Sequence, residues 1–148
     1  MNTKISLLAA CAALACLAAH ADPVLDRNAR VSGNGSGDGI AQRGGTFKTA
    51  GGAQGGRMQR LVRTEDGAVD AASRAGVSGD NGSAASSRTF TRSADGSTAS
   101  ATRNTTATNA NTGVSYDGST TWTKGSGFSR SGSCTDSGGN TVTCGTQR

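Results

Sequence analysis

The sequence predicts a mostly β protein, with short irregular antiparallel hairpins in the C-terminal half and a disordered glycine-rich tract before them. Asp-Gly pairs stand between stretches rich in Thr and Ser, which is a hairpin signal because both residues tolerate turn conformations. Large apolar residues are scarce, since only 16 follow residue 21. So few apolar side chains cannot bury a core large enough to order the whole chain.

The first 21 residues have the pattern of a secretory signal peptide, helical before cleavage. Lys4 supplies a positive charge, the segment 5–19 is uncharged and apolar, and Ala19-His20-Ala21 is a small-x-small cleavage site. An apolar run of 15 residues is shorter than a bilayer-spanning helix requires, so we expect no transmembrane anchor after cleavage. We expect cleavage after Ala21 and a secreted or periplasmic product.

A lipoprotein signal is the competing interpretation of the same segment. Leu8-Ala9-Ala10-Cys11 resembles a lipobox, the motif whose cysteine is lipidated in bacterial lipoproteins. Cleavage at Cys11 would leave half of the apolar run on the product, and the residues before Cys16 match the motif less well. We therefore expect no lipid anchor.

The region 22–57 is predicted to be a disordered glycine-rich tract. Ten glycines lie between residues 31 and 56, where Val31, Ile40 and Phe47 are the large apolar residues. Such a composition is typical of a flexible linker or tail.

The region 58–148 contains degenerate repeats around Asp-Gly pairs. Arg63-Thr64-Glu65-Asp66-Gly67-Ala68 and Arg92-Ser93-Ala94-Asp95-Gly96-Ser97 share the pattern R-[ST]-x-D-G-[AS]. Ser115-Tyr116-Asp117-Gly118-Ser119-Thr120 is a partial third copy. We predict successive hairpins. An amphipathic helix over residues 57–75, interrupted at Gly67, stays open as the alternative for the first repeat.

The second repeat predicts a defined strand register. A two-residue Asp95-Gly96 loop pairs Ala94 with Ser97, Arg92 with Ala99 and Phe90 with Ala101. One face then carries Thr and Ser, and the opposite face carries Phe90, the alanines and the arginines.

The third repeat predicts a hairpin whose turn contains Asp117 and Gly118. A two-residue loop there would put Val114 and Trp122 on opposite faces. We therefore predict a three-residue loop with Gly118 in a bulge, which returns both apolar side chains to one face.

Cys134 and Cys144 bracket a predicted turn, residues 136–140, and a predicted strand, residues 141–143. In an oxidising compartment we expect them to form a disulfide rather than a redox-active pair, because catalytic cysteines are usually closer in sequence.

Missing residue types argue against catalysis. The single histidine, His20, lies in the signal segment, so the processed chain lacks the commonest general base and metal ligand. Glu65 and Asp66 are adjacent and would point to opposite faces of a strand, and Asp95 and Asp117 stand where a turn favours aspartate. We expect no enzymatic activity, no cofactor and no metal site.

Arginines and aromatic residues are the remaining candidates for a function. The processed chain has 14 Lys and Arg against 10 Asp and Glu. In the predicted hairpin Arg88, Arg92 and Arg103 share a face with Phe90, an arrangement suited to phosphate or carboxylate groups. Tyr116 and Trp122 are candidates for stacking on sugars, or else core residues.

Two functions are compatible with this pattern. The first is a non-enzymatic structural or interaction element of the bacterial envelope or extracellular space. The alternative is a secreted binding module for polyanions or glycans, with lipopolysaccharide, peptidoglycan and nucleic acid as possible partners.

Overall fold

A computed structural model describes residues 24–34 and 37–144, which form one antiparallel sheet of nine strands in sequential order. The strands are β1 Val24–Gly33, β2 Gly39–Lys48, β3 Gln54–Arg63, β4 Val69–Gly79, β5 Gly82–Arg92, β6 Ala99–Asn109, β7 Ser115–Thr123, β8 Gly127–Thr135 and β9 Thr141–Val142. Each strand pairs with the strand that follows it, so the whole architecture is a succession of hairpins.

The sheet is open and one layer thick. Strands contact only their sequence neighbours within the described part of the chain. Across the same residues Cys134, 6% exposed, is the only buried apolar side chain. Both faces therefore meet solvent, and most of the described order comes from backbone pairing and from contacts between neighbouring strands.

The predicted fold class is confirmed at the level of a mostly β, antiparallel structure. The strands are nevertheless long and regular rather than short and irregular, since β1 to β8 contain 9 to 11 residues each. Residues 24–34 and 37–144 contain no helix. The first repeat is accordingly a hairpin, and the helical alternative for residues 57–75 is wrong.

Within the glycine-rich region 22–57, the described residues, 24–34 and 37–57, differ most from the sequence prediction of a disordered tract. Here the structure has β1, β2 and the beginning of β3, all fully paired. The predicted boundary between 57 and 58 lies inside β3. Glycine gives no side-chain signal, but it retains both backbone hydrogen-bonding groups, and a ladder can use them on either side.

The Asp-Gly hairpins of the first two repeats are confirmed, with turns longer than two residues. Arg92 pairs with Ala99 and Phe90 with Ala101, as the sequence predicts. Ala94 and Ser97 do not pair, because the amide of Gly96 instead donates to the carbonyl of Ser93, at 3.0 Å. The loop therefore covers four residues, with Gly96 at a positive φ of 67°.

The predicted turn at Asp117 and Gly118 is wrong. Both residues lie inside β7, and the turn before that strand is instead at residues 110–114. Gly118 is needed for a different reason. A Cβ atom at this position would lie 2.0 Å from the Tyr116 hydroxyl oxygen, because the tyrosine side chain covers the glycine.

The predicted disulfide joins Cys134 at the end of β8 to Cys144, with the Cα atoms 5.3 Å apart. The turn between them is closed by Asp136, whose carboxylate accepts hydrogen bonds from the amides of Gly138 and Asn140 at 2.9 and 2.8 Å. The bridge ties the two-residue strand β9 to β8.

The predicted signal peptide, residues 1–21, lies outside the described residues. In the part of the chain that is described, no helix has the length and hydrophobicity to cross a membrane.

Candidate functional site

The strand register places eight of the eleven described arginines on one face of the sheet. Side chains alternate between faces along a strand, and directly paired residues share a face. Eight arginines fall on the same side as Phe90. We call this side the arginine face, and its arginines are Arg27, Arg43, Arg57, Arg63, Arg88, Arg92, Arg103 and Arg130.

Carboxylates are absent from the described part of this face. Asp26, Asp70 and Asp117 occupy strand positions on the opposite side. The other described acidic residues lie in the turns between strands. Each guanidinium on the arginine face therefore lacks an acidic neighbour on its own side of the strands.

The opposite side, which we call the hydroxyl face, has a different chemistry. Thr89, Thr102 and Thr121 follow one another across three strands there. Its strand cations are Lys48, Arg30, Arg60 and Arg74, and its strand carboxylates are Asp26, Asp70 and Asp117. Positive charge on this face is thus nearly balanced, whereas on the arginine face it is not.

Two apolar rows run across the strands of the arginine face. The Trp122 row consists of Val31, Ala41, Leu61, Ala71, Phe90, Ala101, Trp122 and Phe128. The Tyr116 row consists of Leu25, Phe47, Gly55, Val77, Ala84, Ala107, Tyr116 and Cys134. Two successive rows of paired positions lie between them.

Six of the eight arginines occupy those two central rows. Arg43, Arg88, Arg103 and Arg130 belong to the row next to the Trp122 row, and Arg27 and Arg57 to the row next to the Tyr116 row. Arg63 and Arg92 lie beyond the Trp122 row. The face is therefore a cationic band with an apolar row on each side.

Neighbouring polar side chains orient two of the central guanidinium groups. Arg103 Nε donates to Ser86 Oγ at 3.1 Å, and Arg43 Nε donates to Gln59 Oε1. A guanidinium has five N–H donors, so each of these arginines keeps four for another partner. Their side chains are held in place while most of their hydrogen-bonding capacity stays available.

The aromatic side chains of the face lie along the sheet. The Trp122 and Phe128 rings, paired across β7 and β8, have centroids 6.5 Å apart. In the Tyr116 row, the tyrosine covers Gly118, and the Phe47 ring covers Gly55, where a Cβ would meet Cε1 at 2.6 Å. Because glycine has no side chain, a glycine opposite or beside an aromatic residue lets the ring lie directly against the strand backbone.

All five residues singled out from the sequence as ligand-binding candidates lie on the arginine face. Arg88 and Arg103 are direct cross-strand partners, Trp122 pairs with Ala101, and Tyr116 pairs with Ala107. Arg92 lies nearer the turns, where its Nη2 is 3.5 Å from the Gly67 carbonyl oxygen. Tyr116 and Trp122 are both only partly buried, so they are neither core residues nor freely exposed ones.

Sequence reasoning missed the contribution of the first three strands. Arg27, Arg43 and Arg57 lie in the region assigned to a disordered tract, where no register was predicted. The signal was present in the spacing, because Leu25, Arg27, Ala29 and Val31 follow one another at two-residue intervals along β1 and so share a face. An alternating pattern read across glycines would have placed these arginines on one face.

Chemically, this arrangement can hold an extended anion. Guanidinium groups bind phosphate and carboxylate oxygens through paired N–H donors, and the central rows present them without competing carboxylates. Within residues 24–34 and 37–144, no cluster of His, Cys, Asp or Glu could hold a metal ion.

No family model matches the chain, and no curated protein or solved structure proved significantly similar to it.

Proposed function

We propose that this chain is an exported, non-enzymatic binding protein whose arginine face engages an extended polyanion. One observation carries the proposal: eight arginines share a face on which the described strands place no carboxylate. Arginines recruited for solubility or for ion pairing would be expected mainly on the face that carries the strand carboxylates, but only Arg30, Arg60 and Arg74 lie there.

The dimensions favour a partner with many charges over a small ligand. Arg27 lies on β1 and Arg130 on β8, seven strand intervals apart, or about 34 Å at the usual interstrand spacing. That span is several times the Debye length at physiological salt, so distant arginines act on separate anionic groups. A polymer or a surface with repeated phosphate or carboxylate groups satisfies them all.

Export and the absence of catalysis are parts of the same proposal. The signal pattern of residues 1–21 supports export, and the disulfide between Cys134 and Cys144 is compatible with an oxidising compartment. An intact mass of the exported protein that starts at Asp22 and contains the disulfide supports this part. A full-length, reduced protein found in the cytosol would contradict it.

Binding to long-chain inorganic polyphosphate tests the polyanion proposal. The variant R57Q/R88Q removes two charges from the arginine face, and R60Q/R74Q removes two from the hydroxyl face. Because both variants change the net charge equally, only the position of the charge differs. We expect an affinity that falls with salt and that R57Q/R88Q weakens about tenfold, while R60Q/R74Q leaves it within about twofold. Equal losses would show a non-specific charge effect and overturn the proposal.

A further inference from the structure

The apolar rows are not needed for binding a hydrophilic polyanion, yet they flank the arginines on the same face. Six residue steps along each strand separate the two rows, or about 20 Å. Their outer members are strongly exposed: Val31 by 82%, Phe128 by 73% and Leu25 by 50%. These side chains continue the partly buried aromatic residues of the same rows, so each row presents apolar surface on the side of the arginines, which favours contact with another apolar surface.

A second copy of the chain is an unsuitable binding partner for the arginine face. Because the arginines occupy the central rows, two arginine faces stacked on each other would bring their guanidinium groups together. No described strand carboxylate lies on the arginine face of either copy to neutralise these guanidinium groups. Burying unpaired like charges in an apolar interface is strongly unfavourable.

A hydrophilic polymer also fails to match the whole of the arginine face. Polyphosphate or nucleic-acid backbone would satisfy the guanidinium groups but leave the Trp122 row and the Tyr116 row in water. The arginine face is complementary to a partner in which phosphate groups lie next to hydrocarbon. Such a partner is an anionic lipid surface, where headgroup phosphates border the acyl chains.

We infer that the arginine face docks on an anionic lipid surface, with its guanidinium groups on headgroup phosphates and its two apolar rows against the acyl boundary. This inference rests on the proposed polyanion binding and names the polyanion. The long arginine side chains can bend back toward the sheet, which keeps their guanidinium groups at the headgroup phosphates while Val31 and Phe128 contact the acyl boundary. The hydroxyl face, with its threonines and nearly balanced charge, stays in water.

The most exposed apolar residues of the arginine face lie at the ends of the two rows. Val31 and Phe128 end the Trp122 row on the outermost long strands, β1 and β8. Leu25 ends the Tyr116 row on β1. Among the inner members, Leu61 is 44% exposed, whereas Phe90, Trp122 and Phe47 are partly buried against their neighbours.

The chain offers matched variants for the test. V31S/F128S removes two exposed apolar side chains from the arginine face. M58S removes an exposed one from the hydroxyl face, where Met58 is 67% exposed and pairs with Arg74. None of these side chains is buried, so neither variant opens a cavity. Far-UV circular dichroism of each variant confirms that the sheet is retained.

Vesicles of phosphatidylcholine containing about a third phosphatidylglycerol are the lipid probe. We expect the protein to bind these vesicles and not pure phosphatidylcholine. V31S/F128S should lower vesicle affinity about tenfold and leave polyphosphate affinity unchanged, whereas M58S should change neither. Trp122, the only tryptophan of the chain, should be quenched by lipids brominated in their acyl chains.

The outcomes separate this inference from the proposed function. Salt-sensitive polyphosphate binding without vesicle binding, or vesicle binding unaffected by V31S/F128S, overturns the lipid surface and leaves polyanion binding intact. Vesicle binding in which brominated lipids do not quench Trp122 also overturns it. A protein that binds neither probe overturns both.

Discussion

Arg88 on β5 and Arg103 on β6 lie directly opposite each other in the register of the sheet. Like charges at directly paired positions destabilise an antiparallel pair, and here no carboxylate on the same face relieves the repulsion. On either side the neighbours are neutral, because Arg88 pairs with Ser73 and Arg103 with Thr120. A like-charge pair that costs stability and has no carboxylate beside it is typical of positions retained for binding.

Replacing Arg88 by Thr should therefore stabilise the protein and weaken its binding. Removal of the like-charge pair should raise the free energy of unfolding by about 0.2–1 kcal/mol, and polyphosphate affinity should fall several-fold. Urea unfolding and a salt series of binding measurements check the two effects.

Arg74→Thr is the matched control for Arg88→Thr. Arg74 lies on the hydroxyl face between Met58 and Ser87, so the same substitution gains the strand propensity of threonine without relieving any like-charge pair. The stability gain of R88T should exceed that of R74T. Equal gains with equal binding would show that the opposition of Arg88 and Arg103 has no energetic consequence.

Gly118 and Tyr116 form a second energetically coupled pair. Because a Cβ at Gly118 would lie 2.0 Å from the tyrosine hydroxyl, Gly118→Ala must displace the ring. We expect a loss of about 1–3 kcal/mol in the free energy of unfolding and a change in near-ultraviolet circular dichroism. Gly76→Ala, where the nearest neighbour would be 3.7 Å away, should cost little or nothing.

A double-mutant cycle identifies the cause of that loss. In a Tyr116→Ala background the ring is absent, so the cost of Gly118→Ala should nearly vanish. If it persists, the glycine is required by the backbone and the contact with Tyr116 is incidental.

The Cys134–Cys144 bridge should contribute to stability through the unfolded state. It joins residues 10 apart, and closing a loop of that size corresponds to about 3 kcal/mol on the chain-entropy description. Reduction of the native protein should lower its free energy of unfolding accordingly, as measured by urea unfolding with and without a phosphine reductant. The double variant C134S/C144S should show no response to the reductant. A response there, or none in the native protein, would contradict a structural role for the bridge.

The parts of the fold that could be predicted are those where residue types alternate along the strand with a period of two, next to a turn signal. Phe90 and Arg92 alternate with threonines up to the Asp95-Gly96 turn, and pairing of the flanking residues followed from that alternation. From this short stretch the sequence correctly placed Arg88, Arg92 and Arg103 on one face. The arginines on β1 to β3 were not assigned to this face, because glycines interrupt the alternating pattern there.

Asp117-Gly118 shows why a turn signal alone is insufficient. Its composition equals that of Asp95-Gly96, yet it lies within β7, where the Tyr116 ring occupies the space that a side chain at Gly118 would need. The same ring lies close to Gly132 on the next strand, where an added Cβ would be 2.9 Å from the tyrosine hydroxyl oxygen. No local pattern encodes such a contact, and only the paired strands reveal it.

The turn at Asp95 predicts a loss of stability in acid. Hydrogen bonds from the Ser93 hydroxyl and then from the Ser97 amide lower the pKa of Asp95 from 3.8 to about 2. Because the pKa is depressed by folding, the contribution of the carboxylate is present above the unfolded-state value and is lost as pH falls from about 4 through about 2. Asp95→Asn keeps an oxygen that accepts the same hydrogen bonds but cannot titrate. We expect the native protein to be the more stable of the two between pH 5 and 6, with a constant difference, and the difference to shrink toward pH 2, as measured by urea unfolding at each pH. The same difference at pH 2 as at pH 6 would mean that the Ser93 and Ser97 hydrogen bonds do not favour the ionised form.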